Sequence, residues 1–215
     1  MSIINQLKIG VIGANGFVGN YLCKQLKLID YSLIQISIRG LAISIDGRKI
    51  NELNQLRHIF STIDIIIDCS SPSTNPALIN QCIEESYKFI KIIDDSQFKG
   101  NYILLSSVSV YGQDQNVIDS STSTSPFNPY GESKLLKENW LLNRYLNSSN
   151  YLHILRPSGI LGLAMGNTFI RRITDKAISS SPISIYSDND KFNCIISVEN
   201  LVSIIKILIT TTENQ

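Results

Sequence analysis

The sequence predicts an α/β fold: a doubly wound parallel sheet covered by helices on both faces. Three observations carry this expectation. Strand-like and helix-like segments alternate through the 215 residues, the pattern of successive strand–helix–strand units. Short isoleucine runs such as Ile65-Ile66-Ile67 suit strands buried on both faces. A glycine-rich turn joins the first strand to the first helix, the region where sheets of this class place their ligands.

Taken in order, Leu7–Ile12 predicts a buried strand and Phe17–Leu28 the first helix. Leu33–Ile38 predicts a second strand and Leu41–Ile45 a short third. Ile50, Leu53, Leu56, Ile59 and Phe60 recur at helical spacing, so a helix is expected over Ile50–Phe60. Asp64–Cys69 reads as a fourth strand, closed by the turn-forming Ser70-Ser71-Pro72-Ser73. A helix is expected from Pro76, a tolerated first-turn proline, to Tyr87. A strand follows over Tyr102–Ser107. Gln113–Pro129 is polar and rich in Ser and Thr, which predicts a long loop; such loops inside compact domains often carry function. The remaining expected elements are a helix over Gly131–Tyr145, a strand over Leu152–Leu155, a helix over Thr168–Ile178, a short strand over Ile183–Tyr186 and a last helix over Val198–Ile209. No internal repeat is visible.

Hydrophobic residues make up 43% of the chain and the formal net charge is +1. That apolar content fits a folded globular protein rather than a disordered one. The Lys and Arg residues are scattered and form no basic block, so no nucleic-acid partner is expected. Cys23, Cys69, Cys82 and Cys194 are far apart and lack C-x-x-C spacing, which argues against a zinc site or a disulfide framework. Cys69 reads as a small core residue. The N-terminal segment does not resemble a leader peptide, and no apolar stretch reaches the length of a membrane span. A cytoplasmic protein with no membrane partner is expected.

Gly13-Ala14-Asn15-Gly16-Phe17-Val18-Gly19 lies between the first strand and the first helix. Glycines there permit a tight turn and let the backbone approach a pyrophosphate. The helix N-terminus adds free N–H groups and the positive end of its dipole. Gly10 extends the three-residue spacing but lies within the strand, so Gly13 sets the register. Glycine spacing alone fits a plain turn equally well; the position before a helix is what favours phosphate binding. The second strand ends at Arg39-Gly40. An acidic residue there would take a ribose hydroxyl of NAD, whereas an arginine suits the 2′-phosphate of NADP. The expected cofactor is NADP or NAD, with Arg39 leaning toward NADP; a solvated arginine at a strand end is the alternative.

Tyr130 and Lys134 stand four residues apart at the start of an expected helix and so share one face. A phenol with a pKa near ~10 exchanges protons poorly at neutral pH. A neighbouring ammonium lowers that value and makes the pair usable on a carbonyl or an alcohol. The spacing proves little by itself. Nine tyrosines and twelve lysines in 215 residues give about 0.5 chance matches, and Tyr87 with Lys91 is a second one. Context separates the two pairs. Tyr130 stands in Asn128-Pro129-Tyr130-Gly131-Glu132-Ser133-Lys134, and upstream a strand runs into Ser106-Ser107-Val108-Ser109-Val110-Tyr111-Gly112. A serine at the C-terminal end of a parallel strand lies where ligands bind and can hydrogen-bond a substrate oxygen as charge develops. A turn or capping role is the alternative.

Together these segments resemble the extended short-chain dehydrogenase/reductase family, the NAD-dependent epimerase/dehydratase group. The likeness covers most of the chain: the Gly13–Gly19 loop, Ser106–Gly112, Pro129–Lys134, Leu155–Ile160 and Ile183–Val202. It implies a Rossmann-type dinucleotide-binding domain over 1–160 and a reduced C-terminal substrate lobe over 161–215, packed on it. Residue by residue, it implies Ser107 as the catalytic serine, Tyr130 as the catalytic tyrosine and Lys134 as the lysine that also binds the nicotinamide ribose. Asp46 resembles the residue near the adenine. Ser70 and Ser71 follow the strand beside which the cofactor passes, and Pro157 and Ser158 match the segment flanking the nicotinamide. Asn75 and Asn80 both remain open as the family's cofactor-loop asparagine.

The sequence also departs from the family. Val108-Ser109 replaces the Asp-Glu pair of the dehydratase members, which disfavours sugar 4,6-dehydration. Asn193 stands where many members have an arginine for a nucleotide diphosphate, and Ser197-Val198-Glu199-Asn200 replaces His-Val-Asp-Asp. The implied activity is an NAD(P)-dependent oxidoreductase acting on a carbonyl or alcohol carbon of a sugar or nucleotide sugar, of keto-reductase type. A nucleotide-sugar epimerase with tightly held NAD and a non-catalytic NAD(P)-binding sensor are the alternatives. The implied partners are a small-molecule substrate and a second copy, paired through a helix including Gly131–Tyr145. A serine hydrolase fails on inventory: His58 and His153 both read as structural, and no G-x-S-x-G turn is present.

Overall fold

The isoleucine run decides the central layer. In β5 (Ile65–Asp68), Ile65 and Ile67 pack into one core cluster and Ile66 into another, as the alternation of side chains along a strand requires. The same alternation recurs in β1 (Lys8–Ile12), where Ile9 and Val11 oppose Ile12, and in β6 (Asn101–Leu105), where Ile103 and Leu105 oppose Tyr102 and Leu104. The computed structural model describes residues 6–29, 31–39, 42–71, 76–112, 117–166, 169–184 and 194–213.

Seven strands form the main sheet among the described residues. With β2 (Ser32–Arg39), β3 (Ala42–Ile45), β4 (Arg48–Ile50) and β7 (Leu152–Leu155), the order is β4-β3-β2-β1-β5-β6-β7. β2, β1, β5, β6 and β7 are all parallel. The chain leaves β1 toward β2 and returns on β1's other side as β5. That reversal opens a crevice at the carboxyl ends of β1 and β5, where open α/β sheets bind ligands. α1 (Phe17–Leu26) and α6 (Val198–Glu213) cover one face; α2 (Leu53–Ser61), α3 (Pro76–Asp95) and α4 (Pro129–Tyr145) contribute to the other. β8 (Gly159–Leu161) and β9 (Ile195–Ser197) pair in parallel as a separate two-stranded sheet, and α5 (Phe169–Ile178) lies between them in sequence.

Three expectations change. The third strand does not extend the parallel sheet: β3 pairs antiparallel with β2, and β4 with β3. Between β3 and β4 stands Asp46-Gly47, both at positive φ (49° and 80°), a two-residue turn that matches the twist of a hairpin. Residue Ile50 therefore ends a strand, and the helix expected from it begins at Leu53. In the short strand expected over Ile183–Tyr186, residues 183 and 184 are irregular; the rest lies outside the described residues. α6 packs into the main core: Val198, Leu201, Val202, Ile205 and Ile209 are buried with Ile9, Val11 and Leu22.

Candidate active site

The chain turns sharply where β1 ends. Gly13 has φ of +76°, and a Cβ there would come within 2.9 Å of the Ser70 backbone nitrogen. Only glycine meets both demands cheaply. At Gly19 a Cβ would come within 2.2 Å of the Gly13 carbonyl, so this glycine packs the helix against its own loop. Gly16 is the N-cap of α1 and supplies no side-chain cap. The first turn of the helix thus presents its amide end to the crevice, a ready anion site.

A cleft of about 630 Å³ opens there, within the usual range for ligand sites. It brings together Gly13, Asn15, Gly16, Phe17 and Val18 from the loop, Ser70 and Ser71 from the turn after β5, Ser107, Tyr130 and Lys134, and Pro157 and Ser158 after β7. Ser37 and Ile38, near the end of β2, also line it. Arg39 is the next residue, at the strand's last position. The glycine cradle and the open helix end fit a dinucleotide pyrophosphate. Gly13 to Val18 would hold the phosphates, and Lys134 and Tyr130 lie across the cleft where the reactive ring would rest.

α4 carries Tyr130 and Lys134 into the cleft. Asn128 caps it by accepting from the Gly131 N–H at 2.8 Å, with Pro129 in the first turn. A Cβ at Gly131 would stand 2.1 Å from the Ser109 carbonyl, so glycine lets the helix abut the single 3-10 turn at Val108–Val110. Ser107 caps that turn, accepting from the Ser109 N–H and donating to the Ser109 hydroxyl, both at 3.1 Å. Lys134 is 3% exposed. Its ammonium donates to the carbonyls of Ser70 and Leu105, each at 2.9 Å, and lies 5.9 Å from the centre of the Tyr130 ring. Burial, reinforced by the Lys137 charge, pushes its pKa down from 10.5 to about 8, against the opposing pull of Asp68. The Ser71 hydroxyl donates to the Tyr130 oxygen at 3.4 Å.

Two buried polar clusters lie behind these groups, and neither is among the sequence-derived candidates. Asp68 pairs with Lys137 at 2.9 Å. Burial pushes the Asp68 carboxyl up, but Lys137 and the Ser70 hydroxyl outweigh it and hold the group below its ordinary value. Glu138, fully buried, accepts from the Ser106 hydroxyl and from Arg156 at 2.6 Å. Arg156 also donates to the Tyr111 hydroxyl at 2.6 Å, tying the end of β7 to the segment carrying Ser107. A signal for Lys137 and Glu138 does exist: they continue the face of Lys134 at i+3 and i+4. Asp68 interrupts an otherwise apolar strand.

Other expected positions fall elsewhere. Asp46 is not at the cleft. It forms the hairpin turn, where its carboxylate accepts from the Gln35 N–H at 2.9 Å; antiparallel β3 carries it away from the carboxyl ends of the parallel strands. Tyr87 lies within α3 and is exposed, away from the cleft. Asn80 is exposed on the same helix, while Asn75 and Asn193 lie outside the described residues. His58 is exposed on α2 and His153 sits in β7. Among the described residues no group of His, Cys, Asp and Glu could hold a metal, and no helix is long and apolar enough to cross a membrane.

The fold and the cleft define a Rossmann-type dinucleotide-binding domain with Tyr130 and Lys134 lining the cleft at its switch point. The sequence model described as NAD dependent epimerase/dehydratase family matches residues 9–215. The chain belongs to that enzyme family. It is 22% identical over 213 residues to YtcB, an uncharacterized UDP-glucose epimerase of Bacillus subtilis (strain 168), covering 86% of this chain and 67% of that one. Among solved structures, it is similar to UDP-N-acetylglucosamine 4-epimerase from Bacillus cereus, with TM-score 0.77, 16% identity, and 96% and 75% of the two chains covered. It is also similar to dTDP-4-dehydrorhamnose reductase from Bacillus anthracis str. Ames in complex with NADP, with TM-score 0.73, 21% identity and coverage of 96% and 72%.

Proposed function

We propose that this chain is an NAD(P)-dependent oxidoreductase acting on a carbonyl or alcohol carbon of a nucleotide-linked sugar, as a keto-reductase. The observation that carries the reading is the meeting of Ser107, Tyr130 and Lys134 in one cleft with the Gly13–Val18 cradle. NADPH or NADH, when bound, supplies the hydride that the carbonyl carbon takes up. The Tyr130 hydroxyl gives its proton to the carbonyl oxygen, and Ser107 donates a hydrogen bond to that oxygen as it gains charge. The Lys134 ammonium, fixed by two backbone carbonyls, offsets the charge left on the tyrosine oxygen. Pro157 and Ser158 also line the cleft.

The same groups run in reverse on an alcohol, and a sugar epimerase uses both directions in turn. The observation behind that second reading is the 22% likeness to the uncharacterized UDP-glucose epimerase YtcB of Bacillus subtilis. One experiment separates them. The purified protein is given UDP- and dTDP-linked sugars and their 4-keto forms, with NADPH or NADH. Stoichiometric loss of reduced cofactor supports the reductase. Interconversion of sugar epimers without net loss supports the epimerase. No turnover of any of these overturns both. Titration of the apoprotein with each cofactor tests the role of Arg39: tighter NADP binding, lost in Arg39→Ala, is expected, and tighter NAD binding would refute it.

A further inference from the structure

The reaction outlined above makes no use of Lys137 or Asp68, yet both are buried directly behind it. Lys137 follows Lys134 by three residues on α4 and donates to Asp68 Oδ2 and to the Ser70 hydroxyl, each at 2.9 Å. Asp68 is fully buried and Lys137 8% exposed. Asp68 also accepts from the Tyr102 hydroxyl at 3.0 Å, and from the Ser70 N–H and hydroxyl at 2.8 Å and 2.5 Å. Ser70 is thereby gripped by backbone and side chain together. Its carbonyl holds the Lys134 ammonium, and the next residue, Ser71, reaches the Tyr130 oxygen. As a source of stability such a pair is poor, since neutral residues of similar size often do as well.

We propose that Asp68 and Lys137 are a positioning pair: they lock the Ser70–Ser71 turn, present Lys134 and Tyr130 together to the cleft, and set the Lys134 ammonium between one like and one opposite charge. The purpose of the pair rests on the oxidoreductase reading; its geometry does not. The groups facing Lys134 are Asp68 and Cys69 at the end of β5, Tyr130, Lys137 and Glu138 on α4, and Tyr102 of β6 through its bond to Asp68. Arg156, after β7, is engaged by Glu138. Within that set Lys137 opposes the Lys134 charge and Asp68 supports it.

The two single substitutions therefore act in opposite directions. Lys137→Met leaves Asp68 to face Lys134 alone, and Asp68→Asn leaves two ammonium groups side by side. The test is a titration of the Lys134 side-chain nitrogen by NMR on the full chain, without substrate. Lys137→Met moves the midpoint up and Asp68→Asn moves it down, each by about one pH unit. A pair that merely held the fold together would admit water when broken and move both midpoints up; that result, or no movement in either folded variant, overturns the proposal. Should the single variants fail to fold, Asp68→Asn with Lys137→Met leaves no unpaired charge behind. In that protein the two opposing charge effects offset each other, so the Lys134 midpoint stays close to its wild-type value, while kcat falls tenfold or more with KM little changed; a midpoint that rises, as water entry alone would cause, overturns the proposal. Absence of turnover in the wild-type protein refutes the oxidoreductase reading alone, because the midpoints are read without substrate and still decide the pair.

Discussion

In the proposed reaction, proton transfer depends on Tyr130. Tyr130→Phe is expected to lower kcat by about 10²–10⁴-fold while NAD(P) binding, followed by fluorescence titration, persists; undiminished turnover would place the proton donor elsewhere. Lys134 sets a pH dependence. Its ammonium is present below about 8 and lost above it, so a rate that needs the charge falls as pH rises through that value. A rate flat from pH 7 to 10 would remove Lys134 from the mechanism. Ser107, Tyr130 and Lys134 were legible in the sequence because their chemistry and order are distinctive. The pairing of Asp68 with Lys137 and of Glu138 with Arg156 was not, since charged residues are solvated by default and their helix face or strand position does not show which partner another element supplies.

Two glycine-bearing turns do different work at the scale of elements. The Gly13–Gly19 turn depends on close approach as well as on the positive φ of Gly13: a methyl group at Gly19 would meet the Gly13 carbonyl at 2.2 Å. Gly19→Ala is expected to shift the loop and weaken cofactor binding along with thermal stability; a variant with wild-type affinity would show that the helix can retreat. The Asp46-Gly47 turn is built by dihedral angle, with open space around Gly47. Gly47→Ala should cost about 1 kcal/mol in denaturant unfolding and leave cofactor affinity unchanged, because the hairpin lies away from the cleft. The Asp-Gly signal for a hairpin was present in the sequence. The expectation that Asp46 stands near the adenine came from the family resemblance, whereas the structure places the residue in the hairpin turn and not among the cleft residues.

On the scale of the whole molecule, α6 is the decisive element. It contributes Val198, Leu201, Val202, Ile205 and Ile209 to the core that also holds β1 and α1. Ile205→Ala is expected to cost about 2–5 kcal/mol, read as a lower midpoint of a single unfolding transition for the whole chain. A separate, early transition for the C-terminal segment would contradict the shared core. By itself the sequence determined what is local: the period of each helix, the double burial of the isoleucine strands, the glycine turn and the spacing of Tyr130 and Lys134. Those follow from residues a few positions apart. Only the tertiary structure decided that β3 turns back, that α6 joins the core, and that Asp68 meets Lys137 across 69 positions of chain. The reason is physical: a buried charge is tolerated only with its partner in place, and that partner arrives only when sheet and helix have closed around it.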